Sequence, residues 1–123
     1  MKSLLLVAHG SRREASNDEV RALTERLRSA SSSFGEVACA FLELAEPSIP
    51  DGIRKAIKAG ASEVVVLPYF LSAGRHVVTD IPDEMAIVRR EFPSVSIRLA
   101  PYLGAAEGVI DLLLQQAGQP FPG

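Results

Sequence analysis

A short apolar run alternates four times with a segment of helical period, and that alternation leaves few folds open to a chain of 123 residues. It is the pattern of a parallel sheet whose strands are joined by helices. Leu4-Leu5-Leu6-Val7-Ala8 and Val64-Val65-Val66-Leu67 are apolar without interruption, as strands covered on both faces must be, so strands 1 and 3 are expected at the centre. Val95 to Leu99 alternates apolar with polar, and Val37 to Leu42 places the small Ala38 and Ala40 on one face, which suits the edges. With right-handed crossovers the expected order is 2-1-3-4. The expectation is therefore an α/β fold: a single three-layer domain with a four-stranded parallel sheet, residues 1–117 forming one module and 118–123 a short C-terminal tail.

The intervening segments carry helix punctuation. Ser16-Asn17-Asp18-Glu19 has the form of a capping box ahead of Val20, Leu23, Leu27 and Ala30. A second helix is expected from near Ser48, with Pro50 in its first turn, Ile49, Ile53 and Ile57 inward, and Gly60 as the stop. A third is expected from Asp80, because Pro82 fits only a first turn, with Pro93 ending it. The fourth, about Ala106 to Ala117, is apolar almost all round, and Ile110 and Leu114 project away from its Val109, Leu112 and Leu113 face. Such a helix is normally buried on more than one side, against its own sheet or against a second copy.

Composition narrows the function. With 47% hydrophobic and 23% charged residues the chain can form a core. Thirteen basic against fifteen acidic residues, with no Lys/Arg run, argue against a nucleic-acid partner. No apolar run approaches the ~20 residues of a membrane span, and the Met1-Lys2-Ser3 start has no signal-peptide character. A cytoplasmic protein without membrane contact is expected. The single cysteine, Cys39, excludes an internal disulfide and a Cys-cluster metal site, and in an apolar strand it reads as a core residue.

In an open α/β sheet ligands bind beyond the carboxyl ends of the strands, where the strand order reverses. For the order 2-1-3-4 that point lies between strands 1 and 3. Strand 1 runs into His9-Gly10-Ser11-Arg12, and strand 3 runs through Pro68-Tyr69-Phe70-Leu71-Ser72-Ala73-Gly74 into Arg75-His76, so both histidines of the chain fall on one rim. Strand 2 ends there too, at Glu43 and Glu46. Adjacent strands are ~4.8 Å apart, so two imidazoles can converge on one ion, although the stretch between Phe70 and His76 leaves the second distance open. Each residue also has a plain reading: histidines in solvent or core, Gly10 and Gly74 as turn residues, Arg12 and Arg75 as surface charges, Glu46 leading into Pro47. Beside the histidines, the two arginines could instead pair with ligand carboxylates.

Three segments, LLLVAHGSR at 4–12, FLELAEPSIPDGI at 41–53 and PYFLSAGRHVVTDIP at 68–82, make the sequence resemble the class II tetrapyrrole chelatases, the sirohydrochlorin cobalto-, ferro- and nickelochelatases. The resemblance spans nearly the whole chain. It implies a chelatase-like fold of flavodoxin-like topology, in a short form that works as a homodimer. It implies that His9 and His76 hold the incoming divalent metal, with His9 also accepting a pyrrole proton. Glu46 and the loop of Phe70, Leu71, Ser72, Ala73, Gly74 and Arg75 would line the tetrapyrrole pocket, with Glu43, Ser11 and Arg12 close by. One departure is visible, since the tail after Gly118 lacks the histidines some short members carry.

The residue types suit that chemistry. Insertion replaces two pyrrole N–H protons by a divalent ion, Co²⁺, Fe²⁺ or Ni²⁺, which is the substrate. Neutral imidazole both holds such an ion exchangeably and accepts protons near neutral pH, and Glu43 or Glu46 could take a proton or offset charge. No organic cofactor is implied, and without a phosphate loop ATP is not expected. Two other readings use the same residues. A non-catalytic metal or metallotetrapyrrole carrier would retain its product, and a phosphate-ester enzyme or binding module would set His9 and Arg12 on an anion at the start of helix 1.

Overall fold

A computed structural model describes residues 1–122, and these form β1 (Lys2–Ala8), α1 (Glu14–Ala30), β2 (Glu36–Phe41), α2 (Ile49–Lys58), β3 (Glu63–Pro68), α3 (Ile81–Glu91), β4 (Ser96–Leu99) and α4 (Gly108–Ala117). The strands are parallel in the order β2-β1-β3-β4. The continuous apolar strands β1 and β3 are central, as their sequences require. Register is set by that pairing: Leu4 lies between Val37 and Val65, and Val7 between Ala40 and Pro68.

Strand alternation sorts the core into two faces. Leu5, Val7, Ala40, Val64 and Val66 pack on one side with Ile49, Ile53, Ile81, Met85 and Val88 from α2 and α3, all buried. Leu4, Val37 and Val65 face the other way, toward Leu27 of α1. α2 follows its sequence signals: the Ser48 hydroxyl accepts the Asp51 N–H at 3.2 Å, Pro50 occupies the first turn, and Gly60 takes φ +109° after the last. Arg54 ties α2 to α3 by donating twice to Glu91, at 2.8 and 2.7 Å, and once to Asp51 at 2.8 Å. No helix among the described residues is long and apolar enough to cross a membrane.

Three local expectations change. α1 begins at Glu14, ahead of the apparent capping box, because Asn17 is buried and uses its side chain on Ser11 instead of on the helix end. Its inward face is Asn17 and Thr24, with Val20, Leu23 and Leu27 half-buried and Ala30 exposed. The third helix begins where expected, with Asp80 as its N-cap and α3 from Ile81, but it is preceded by a turn the sequence did not announce. A π-helical turn, His76–Asp80, closes with the Ile81 N–H on the His76 carbonyl and leads straight into α3. Pro82 has no N–H to give, so the wider turn ends where an α-ladder would lose its bond. Cys39 is half-buried, not sealed in the core. Of the two covers open to α4, its own sheet is not the one it uses: none of its residues is buried. Residues 118–122 continue exposed beyond it, and the last position of the expected tail, 123, lies outside the described residues.

Candidate functional site

The carboxyl ends of β1, β2 and β3 are laced together by backbone. The Leu42 N–H donates to the Ala8 carbonyl at 3.0 Å, Glu43 N–H to His9 at 3.1 Å, and Tyr69 N–H to Val7 at 2.8 Å. Gly10 makes the first of these turns possible. Its φ is +93°, and a Cβ there would fall 1.8 Å from the Glu43 carbonyl oxygen, so both conformation and space demand glycine. Of the two roles open to Gly10 in the sequence, the structure shows the backbone one. Ser11 is fixed next, by a side chain three residues into α1. The Asn17 Oδ1 accepts the Ser11 N–H at 2.9 Å and its Nδ2 donates to the Ser11 carbonyl at 2.8 Å. Asn17 is 1% exposed, so the loop carrying His9 is clamped from inside the protein.

His9 and His76 meet above β1 and β3 with ring centroids 4.8 Å apart and planes at 70°. Phe70 lies beside His76, its centroid 6.3 Å away. The His9 Nδ1 is 2.9 Å from the Gly10 carbonyl, and the His76 Nδ1 is 2.8 Å from the Asp80 carboxylate. Both partners are acceptors, which assigns the proton of each neutral ring to Nδ1 and leaves the lone pair on Nε2. The His9 Nε2 faces Glu43 Oε1 at 3.4 Å. A lone pair and a carboxylate oxygen in that relation are reconciled by a cation, a proton or a metal ion. Among the described residues no three His, Cys, Asp or Glu side chains gather closely enough to hold a metal ion by themselves. The two imidazoles thus offer at most partial coordination, and further donors must come from whatever binds in the cleft.

Two clefts meet at His76. The larger, about 570 Å³, is walled by His9, Ser11, Asn17, Phe70, Leu71, Ser72, Gly74 and His76, with Tyr69 and Val20 behind. The smaller, about 260 Å³, lies on the other side of His76 and is lined by Glu43, Asp80, Asp83 and Glu84 with Leu42. His76 borders both. Of the residues singled out in the sequence, Arg12, Glu46, Ala73 and Arg75 lie exposed outside both walls. The Glu46 backbone carbonyl accepts from Arg21 at 3.5 Å. Sequence reasoning missed Asp80 and Asn17 as members of the site. The signal for Asp80 was its spacing of four from His76, one turn apart on a helix.

These features define a doubly wound α/β protein with its two histidines paired at the switch point of the sheet. The chain belongs to the CbiX family, whose model matches residues 3–119. It is similar to the sirohydrochlorin ferrochelatase of Priestia megaterium, 31% identical over 119 residues that take in 97% of this chain and 44% of that protein. It is similar also to the sirohydrochlorin cobaltochelatase of Sulfolobus acidocaldarius, 31% identical over 117 residues, 95% of this chain and 90% of that one. Among solved structures, a CbiX protein from Marinobacter aquaeolei VT8 superposes with TM-score 0.78 at 30% identity, covering 95% of this chain and 93% of that one. The sirohydrochlorin chelatase SirB from Bacillus subtilis subspecies spizizenii, in complex with cobalt, superposes with TM-score 0.85 at 31% identity, covering 94% and 49%. The chain spans about half the length of several curated relatives it matches, the Priestia megaterium and Bacillus subtilis ferrochelatases among them.

Proposed function

We propose that this chain is a metal chelatase that inserts Co²⁺, Fe²⁺ or Ni²⁺ into sirohydrochlorin or a closely related tetrapyrrole, without ATP. The observation that carries this reading is the His9/His76 pair, two imidazoles 4.8 Å apart on the wall of the larger cleft, with no three His, Cys, Asp or Glu side chains among the described residues gathered to hold an ion tightly. Such a site holds an ion loosely enough to surrender it to four pyrrole nitrogens. The macrocycle lies in the larger cleft against Phe70, Leu71 and Tyr69. As the ion passes from imidazole to pyrrole nitrogen, the freed His9 Nε2 takes one of the two displaced protons, and the other leaves to solvent by way of the exposed Glu43 carboxylate, 3.4 Å from that nitrogen. Asp80 does for His76 what the Gly10 carbonyl does for His9, holding the ring so that Nε2 faces the cleft.

In this reading one module, residues 1–117, acts as a homodimer in the cytoplasm. The Sulfolobus acidocaldarius cobaltochelatase, matched over 90% of its length, supports a catalytic module of this size. The similarity of the Priestia megaterium and Sulfolobus acidocaldarius proteins, one named for iron and one for cobalt, supports the substrate class and leaves the choice of metal to supply and kinetics. The test is anaerobic incubation of purified protein with sirohydrochlorin and each metal in turn, followed by absorption. Conversion above the protein-free rate is expected with at least one metal; none with any of the three would refute the reading.

A further inference from the structure

The loop from Tyr69 to Arg75 supplies one wall of the larger cleft through Phe70, Leu71, Ser72 and Gly74. Its two ends are bonded to the scaffold. The Tyr69 N–H reaches back to β1, and the Gly74 carbonyl accepts from Val77 and Val78 at 3.0 and 3.1 Å. Between them, among the described residues, Leu71, Ser72 and Ala73 make no backbone–backbone hydrogen bond. Leu71 is 69% exposed, so burial does not hold this wall either. A stretch with so few contacts keeps one position only if something stands behind it.

That support comes from the far end of the chain. Past β4, the Ala100 N–H bonds the Val66 carbonyl of β3 at 2.8 Å, and the chain then folds into a tight turn, Leu103–Ala105. The Gly104 N–H donates to the Phe70 carbonyl at 3.0 Å. A Cβ on Gly104 would lie 1.9 Å from the Leu71 carbonyl oxygen, 2.5 Å from its carbon and 2.9 Å from the Leu71 Cα, so the two backbones touch with no room for a side chain. Unlike Gly10, Gly104 has no positive φ, and the demand here is for space alone. Leu103 lies beside the same loop, lining a cavity of about 280 Å³ with Tyr69, Phe70 and Leu71.

We propose that Gly104 is a positioning residue for the tetrapyrrole: its contact with Phe70 and Leu71 fixes the wall against which the macrocycle lies, and it takes no part in holding the ion. The inference rests on the chelatase reading and deepens it. The two imidazoles have supports of their own, His9 in the Gly10 carbonyl and the Asn17 clamp on Ser11, His76 in Asp80. Tetrapyrrole and ion are thus positioned by different parts of the chain. An alanine at 104 must open the contact from 1.9 Å to at least 3.0 Å, which moves wall or turn and strains the bond to Phe70. A shift of ~1 Å in a substrate-positioning element can cost ~100-fold.

Gly104→Ala separates the two substrates. Its affinity for metal-free sirohydrochlorin, titrated by absorption, is expected to fall about tenfold or more, and its KM for sirohydrochlorin at saturating Co²⁺ to rise in step, while Co²⁺ affinity without tetrapyrrole stays within about twofold of the wild type. General loosening of the site would weaken both. Unchanged sirohydrochlorin affinity, or Co²⁺ affinity lost alongside it, overturns the proposal and leaves the chelatase reading standing. A wild type that binds no sirohydrochlorin overturns both. Should Gly104→Ala fail to fold by circular dichroism, Leu103→Ala keeps the glycine and removes the side chain beside the loop. A several-fold rise in sirohydrochlorin KM with Co²⁺ affinity unchanged is then expected, and no rise overturns the proposal.

Discussion

His9 and His76 touch edge to face, 4.8 Å between centroids, although one follows β1 and the other opens the turn into α3. Each ring is held at Nδ1 by an acceptor, which leaves its Nε2 out of that bond, and both rings line the larger cleft. On this geometry His9→Ala and His76→Ala should each lower insertion by about 100-fold or more, the scale of a lost acid–base group. Both side chains are partly exposed and belong to no core cluster, so circular dichroism and melting should change little. Near wild-type rates at saturating metal in both variants would remove the pair from the chemistry.

Asp80 should matter without touching substrate. Asp80→Ala frees the His76 ring and is expected to lower metal affinity or rate by about 10- to 100-fold, while Asp80→Asn, which keeps an acceptor for Nδ1, should recover part of the loss. Metal titration and initial rates on both variants check this. Equal loss in the two would mean that charge, not orientation, is what Asp80 supplies.

Asn17→Ala leaves the Ser11 N–H and carbonyl without their buried partners. A cost of about 1–3 kcal/mol is expected for such groups, measured by urea unfolding, together with a drop in insertion as the His9 loop loosens. Unchanged stability would show that water replaces the side chain.

The Arg54 guanidinium, bound twice to Glu91, holds that carboxyl below its ordinary range. A lowered folded-state value means the stabilisation is fully present above the ordinary glutamate pKa of about 4.3 and is lost as pH falls through the lowered one. Glu91→Gln should therefore be less stable than the wild type at pH 7, with the gap closing in strong acid and narrowing in high salt, since the pair is exposed. Urea midpoints at the two pH values measure it; a gap independent of pH would assign the effect to packing.

The sheet was legible because Leu4–Ala8 and Val64–Leu67 leave no polar face, which forces them to the centre of a parallel sheet, and the sheet in turn places His9 at a known edge. His76 was harder to place, because its position depends on the π-helical turn that Pro82 imposes, and no periodicity announces such a turn. Asp80 was hidden for the same reason, read as the start of a helix when it is the end of the turn that carries His76. The capping-box pattern at Ser16–Glu19 misled because buried bonds from Asn17 to Ser11 outweigh a local helix-end preference. In α4 the sequence shows which side chains are apolar but not what covers them, since that depends on surfaces outside the segment.

Multiple turnover is the most direct test of the central claim. Protein at one-tenth the concentration of sirohydrochlorin, with excess Co²⁺ and no oxygen, should convert several equivalents of tetrapyrrole per chain, and His9→Ala with His76→Ala should stop it. Conversion that ends at one equivalent per chain would make the protein a carrier, and a time course matching the protein-free control would contradict the account.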